Sequence, residues 1–277
     1  MSVVSDSGCR LPSSVYRLSM LTIEDRGPVR WLTLDRPDRR NAIPPDGWVE
    51  LAKAFDDFSS VEQRVLVITG AGGAFCSGAD LSASGTSSGL GSHRDRYERL
   101  QTVAAAARSL HRLTKPTVAA VDGAAVGAGM NLALGCDLVV ASSRARFAEL
   151  FVQRGLAVDF GGTWLLPRIV GLQRAKELAL TGRMVEADEA RRIGLVLEVV
   201  EPGELEDVVT ELAESLAAGA PLAQSFIKQG LDRSLGATFE QMLAHESHAQ
   251  AISLGTEDVA EGVAAFLEGR DPAFRGR

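Results

Sequence analysis

Cysteine is scarce in this chain of 277 residues. Cys9, Cys76 and Cys136 stand far apart and form no CxxC pair. That scarcity excludes a disulfide scaffold and fits a reducing, cytoplasmic setting; a chain this long buries a full core without staples. Basic excess is also missing. The net charge of -7 argues against a nucleic-acid partner, because phosphate binding needs a basic face. No run of about 18 apolar residues occurs, so no membrane span is expected. Histidine is limited to four residues, and His245-Glu-Ser-His248 is not the HExxH of a zinc protease. No metal site is expected. Residues 1–20 are rich in serine and lack the apolar core of a secretion signal, so they read as a loosely ordered tail.

What is present alternates. Val29–Leu34 has the period of a half-buried strand and stops at Asp35-Arg-Pro37. Residues 46–58 carry apolar residues at helical spacing, with Asp46 placed to cap them. Val65-Leu-Val-Ile-Thr69 is a β-branched run suited to a strand buried on both faces. Residues 82–92 read as a mobile loop, and 93–113 as a helix. Strands at 117–121 and 138–141 flank a short helix at 128–135. From Gly161 onward the pattern is mostly helical, with a brief strand at 196–200 and a break near Gly255. Strands alternating with helices, then a helical tail, imply an α/β core with an α-helical C-terminal region. The division expected is 1–20 tail, 21–215 core and 216–277 helical region.

Two glycine-rich turns follow buried strands: Gly70-Ala-Gly-Gly-Ala-Phe-Cys-Ser-Gly-Ala-Asp-Leu81 and Asp122-Gly-Ala-Ala-Val-Gly-Ala-Gly-Met-Asn131. Small residues there let a ligand approach the backbone, whose N–H groups can hold an anion or a developing oxyanion. Neither turn has the GK[ST] of a P-loop or a GxGxxG, and no GxSxG surrounds Ser77. Two tight packing turns are the plain alternative.

At this point the chain resembles a family. "RPDRRNA" (36–42), "VLVITGAGGAFCSGADL" (65–81), "KPTVAAVDGAAVGAGMNLALGCDLVVAS" (115–142), "GGTWLLPRIVGLQRAKELALTGRMVEADEARRIGLV" (161–196) and "VAAFLEGRDPAFRG" (263–276) are similar to the crotonase, or enoyl-CoA hydratase/isomerase, family. The resemblance implies a crotonase-like spiral of ββα units and C-terminal helices that serve as lid and trimer contact, with trimers often paired into hexamers. It implies an acyl-CoA thioester as substrate and no metal or redox cofactor. The two oxyanion N–H groups fall by motif on Ala79 and Ala128. The CoA side falls on Arg36, Arg40, Ala42, Cys76, Ser77, Gly78, Asp80 and Leu81, with Gly127 and Phe151 beside the acyl group.

The pattern breaks at the acids. Hydratases of the family carry two glutamates; here those places hold Asn131 and Phe151. Adding water needs one group to deprotonate it and a proton source for the α-carbon, and neither residue is an acid. Glu149 shares a face with Phe151 if the chain is extended and diverges if a helical turn has begun; a solvated surface role is its ordinary reading. Asp159 matches the aspartate of some isomerases and dehalogenases. Val158, Phe160 and Trp164 surround it in sequence, which favours a raised pKa. It is equally well placed to cap the helix that follows. The preferred expectation is an enoyl-CoA isomerase with Asp159 as base. The alternatives are a hydratase in which Glu149, Asn131 and Asp159 share the work, and a CoA-ester-binding protein with little catalysis. Arg39, Lys228 and Arg270 are further candidates for CoA phosphates, and His93 for a substrate contact.

Overall fold

The computed structural model describes residues 14–82 and 91–277. Most of the expected tail, and residues 83–90 of the expected loop, lie outside them. Within the tail, Ser14–Arg17 forms strand β1 and pairs antiparallel with β2 (Leu21–Arg26). Serine content pointed to a tail; the partner strand, invisible to a local reading, makes it an edge strand.

A seven-stranded sheet forms the frame. Its order is β1, β2, β3 (Val29–Leu34), β4 (Val65–Gly70), β5 (Thr117–Val121), β7 (Leu138–Ser142) and β10 (Glu198–Val200). From β3 onward the pairs are parallel, so each step needs a crossover. Helices supply most of them: α1 (Gly47–Ser59) between β3 and β4, and α2 (His93–His111) between β4 and β5. After β5 the units become strand, strand, helix. β6 (Ala124–Val126) precedes α3 (Ala128–Leu134), and β8 (Arg146–Ala148) precedes α4 (Gly162–Val170). β6 and β8 join β9 (Val185–Glu186) in a second, three-stranded sheet.

Alternation along β4 splits the core. Leu66 and Ile68 join the larger cluster with α1 and α2, whereas Val65 and Val67 face α7 (Leu205–Ala218) through Leu205, Val209 and Ala213. The strand is therefore buried on both faces, as its unbroken apolar run requires. The C-terminal helices α8 (Pro221–Ser234), α9 (Phe239–Ser253) and α10 (Glu257–Glu268) leave Phe239, Phe266 and Leu267 exposed, at 72%, 84% and 78%. Asp46 stands at the start of α1 but makes no side-chain cap bond. Among the described residues no helix is long and apolar enough to cross a membrane.

Candidate active site

The two glycine turns are stitched to each other. Cys76 N donates to Ala124 O and Val126 N to Cys76 O, each at 2.9 Å. Gly78 has φ +86°, and a Cβ there would lie 2.9 Å from Val126 O; only glycine permits this approach. The first turn is also paired to the 36–43 segment. Ile43 N donates to Gly78 O and Asp80 N to Ile43 O, both at 2.8 Å. This pairing uses the groups on either side of Ala79, so Ala79's own N–H points away from Ile43. Ala128 opens α3, where the first N–H groups have no partner within the helix. Both alanines line one cavity of about 490 Å³.

The same cavity takes Arg40, Ala42, Ser77, Gly78, Asp80, Leu81, Gly127 and Phe151 from the residues singled out in the sequence. Arg36 and Cys76 are not on its wall. Arg36 braces the turn from behind, with Nη2 3.0 Å from Asp80 Oδ2 and Nη1 donating to Ala42 O at 2.5 Å. Asp80 also accepts from Ser82, so its charge is committed to the loop. Cys76 is fully buried, donates to Asn41 O at 3.2 Å, and burial pushes its thiol up to about 12. It packs and does not react. Asn41 went unnoticed in the sequence, yet its amide ties the segment to Ala71 O and Ala74 O. Arg40 and Asn41 adopt left-handed backbone, φ 48° and 56°, which carries Arg40 O to Ser77 N at 3.0 Å.

Asp159 lines the cavity, and its carboxylate does not cap α4. Gly161, at φ 81°, holds the cap position, and no side-chain cap bond is made there. Phe160 and Gly161 are both left-handed, so the chain turns into the helix without needing the acid. The Asp159 carbonyl accepts from Gly162 N at 3.0 Å and from Asn131 Nδ2 at 2.9 Å. Its carboxyl Oδ1 is buried with no hydrogen-bond partner. Burial raises its pKa to about 6. Val158 and Phe160 pack into the core near it. Trp164 turns away, edge-on to His111 with Arg168 over its face.

Glu149 is the largest departure from expectation. It is fully buried, not a solvated surface acid. A 3-10 turn at Val152–Arg154 starts on Phe151, so the two side chains diverge. Phe151 faces the cavity with Asp159, while Glu149 lines a separate cavity of about 390 Å³ against α4 and α5 (Leu172–Thr181). Asn131 lies between the acids, fully buried, its Nδ2 3.5 Å from Glu149 Oε2. Burial and then the charge of Asp159 push Glu149 up to about 8, against the pull of the Asn131 N–H.

Arg39 and Arg154, both exposed, line the Asp159 cavity together with Arg40. Arg154, Leu156 and Met184 were not legible as wall residues; Met184 arrives from just before β9. Lys228 is spent on Asp137, at 2.7 Å, and Arg270 on Glu261 and Glu268. His93 opens α2 on the exposed surface, off the cavity wall. Among the described residues no group of three or more His, Cys, Asp or Glu could hold a metal ion.

The model of the enoyl-CoA hydratase/isomerase family matches residues 24–277. The 1,2-epoxyphenylacetyl-CoA isomerase of Escherichia coli is 37% identical over 255 residues, covering 90% of this chain and 95% of that protein. The short-chain-enoyl-CoA hydratase of Clostridium acetobutylicum is 36% identical over 255 residues, covering 91% and 96%. The crystal structure of an enoyl-CoA hydratase from Polaromonas sp. JS666 superposes with a TM-score of 0.87 at 33% identity, covering 92% of this chain and 99% of that one. With the family match over residues 24–277, the stitched glycine turns and the crotonase-like architecture in agreement, the chain belongs to the enoyl-CoA hydratase/isomerase family.

Proposed function

We propose that the protein is an enoyl-CoA isomerase that shifts a double bond along the acyl chain of a CoA thioester through an enolate. The observation that carries this reading is the cavity wall. It brings Ala79 and Ala128 together with Asp159, whose carboxylate is not spent on capping α4; Asp80 is held by Arg36 and Ser82, and Phe151 closes the neighbouring wall with a ring. The thioester oxygen accepts from the N–H groups of Ala79 and Ala128. Ionised Asp159 takes a proton from the α-carbon of a 3-enoyl ester. The electron pair moves onto the thioester oxygen as an enolate, and the protonated Asp159 returns its proton to the γ-carbon. The product is the conjugated 2-enoyl ester, with no net gain or loss of atoms.

The magnitudes suit these roles. A base raised to about 6 is mostly ionised at neutral pH and still returns a proton readily. Each oxyanion donor lowers the barrier by roughly 3 kcal/mol. Arg39, Arg40 and Arg154 suit CoA phosphates, which pair well with guanidinium groups. Self-association into trimers or hexamers belongs to the same reading, supported by the exposed apolar side chains of α9 and α10. Hydration draws no support from the geometry, since Glu149 faces the other cavity and Phe151 cannot hold water. The test is a product analysis with 3-enoyl-CoA and 2-enoyl-CoA esters. Isomerisation predicts conversion of the first and no comparable addition of water to the second. Hydration at enzymatic rates would replace this reading, and binding without either reaction would leave a CoA-ester-binding protein.

A further inference from the structure

Behind Asp159, the buried polar atoms do not balance. Asn131 Oδ1, Glu149 Oε1 and Asp159 Oδ1 are all buried acceptors without a partner. The side-chain donor among them is the Asn131 amide, already directed at the Asp159 carbonyl, 2.9 Å away, and more weakly at Glu149 Oε2. Buried acceptors left unpaired are costly, and native structures rarely keep several together. One added proton relieves most of this, because a protonated carboxyl gains an O–H that can donate to one of the other two acceptors.

We infer that Glu149 is a positioning residue, held behind Asn131 as a neutral acid; the Glu149 O–H donates within this cluster and leaves Asp159 the ionised acid at the acyl cavity. The role in turnover rests on the isomerase reading; the protonation of the pair does not. Geometry places the proton on Glu149. That side chain is fully buried and borders an apolar cavity formed with Val158, Leu166, Leu172 and Ala175, whereas Asp159 is only half-buried. The groups that face Glu149 are Asn131 from α3, Asp159 from the turn before α4, and Lys176 of α5, which lines the same cavity. The order of the two pKa values, about 6 for Asp159 and about 8 for Glu149, agrees with this placement. The pair carries one proton between those values. Ionising Glu149 removes the donor and adds a second charge to an apolar enclosure, so the Asn131 amide and the turn it holds lose their fixed position.

Two readouts test this. The first uses free protein with carbon-13 at the glutamate and aspartate carboxyls, followed by NMR through a pH titration. A glutamate resonance titrating near 8 is expected in the native chain. It should vanish in Glu149→Gln and move to lower pH in Asp159→Asn, where the neighbouring charge is gone. The second follows α-proton exchange of an acyl-CoA in heavy water. Native exchange should fall above about pH 8. Glu149→Gln, whose amide donates at every pH, should lose that alkaline fall. Glu149→Leu, with no donor, should lose about tenfold or more in kcat with little change in KM. An alkaline fall unchanged in Glu149→Gln, or a Leu variant equal to the Gln variant, overturns the positioning role. If no acyl-CoA exchanges at all, the isomerase reading fails and the NMR titration decides the pair alone. A Glu149 carboxyl protonated at pH 7 upholds it, and an ionised one overturns it.

Discussion

Replacing Glu149 by glutamine should make the protein less sensitive to alkali. Glu149 is fully buried, and its pKa rises from 4.5 to about 8. Holding it ionised in the fold therefore costs on the order of 5 kcal/mol relative to the neutral acid. The sign follows from linkage. The folded pKa lies above the unfolded one, so this stability is complete below about pH 4.5 and is lost as pH rises towards 8. Between pH 6 and pH 8 the loss amounts to about 2 kcal/mol. Asp159, raised only to about 6, has given up nearly all of its own share before that window. Glutamine keeps the shape and cannot titrate. Urea unfolding at pH 6 and pH 8, at fixed protein concentration, reads the difference directly. The native chain should lose about 2 kcal/mol more than Glu149→Gln across the window. Equal losses would refute the picture of a buried neutral acid.

Other outcomes follow from the same geometry. The acid limb of kcat/KM should rise through about pH 6 as Asp159 ionises, and a pH–rate profile locates it. Gly162→Ala puts a methyl into the Asn131 amide; displacing that amide should lower kcat by about tenfold or more with CoA-ester affinity retained, measured by steady-state kinetics and calorimetry. Gly129→Ala drives a Cβ into the Cys76 carbonyl, which the second turn uses as an acceptor; a stability loss of about 1–3 kcal/mol is expected from denaturant unfolding. Phe151→Glu places a carboxylate on the cavity wall beside Asp159, and hydration of a 2-enoyl ester should appear where the native chain shows little.

The elements legible in the sequence are those whose signal is local. Val65–Thr69 reads as a strand buried on both faces because every residue is apolar or β-branched, and the structure divides it between two cores. β6, β8 and β9 escape, being only two or three residues long and defined by each other. The cavity wall was legible where glycine marks a turn, at Gly78 and Gly127. Arg36 and Cys76 lie off that wall, because neighbours along a turn can point to opposite sides of it. The choice between base and cap at Asp159 depended on Phe160 and Gly161, whose left-handed backbone turns the chain without the acid. The burial of Glu149 was least legible. It depends on the direction of one 3-10 turn and on α5 closing over the side chain from more than 20 residues away.

The proposed isomerisation requires Asp159 to move a proton between carbons beside two backbone N–H groups. The direct measurement is deuterium uptake from heavy water into a 3-enoyl-CoA, by native protein and by Asp159→Asn, with CoA-ester binding measured on both. The variant should bind the ester but lose uptake and double-bond migration together, by roughly 10²–10⁴-fold. Full uptake by Asp159→Asn would contradict it.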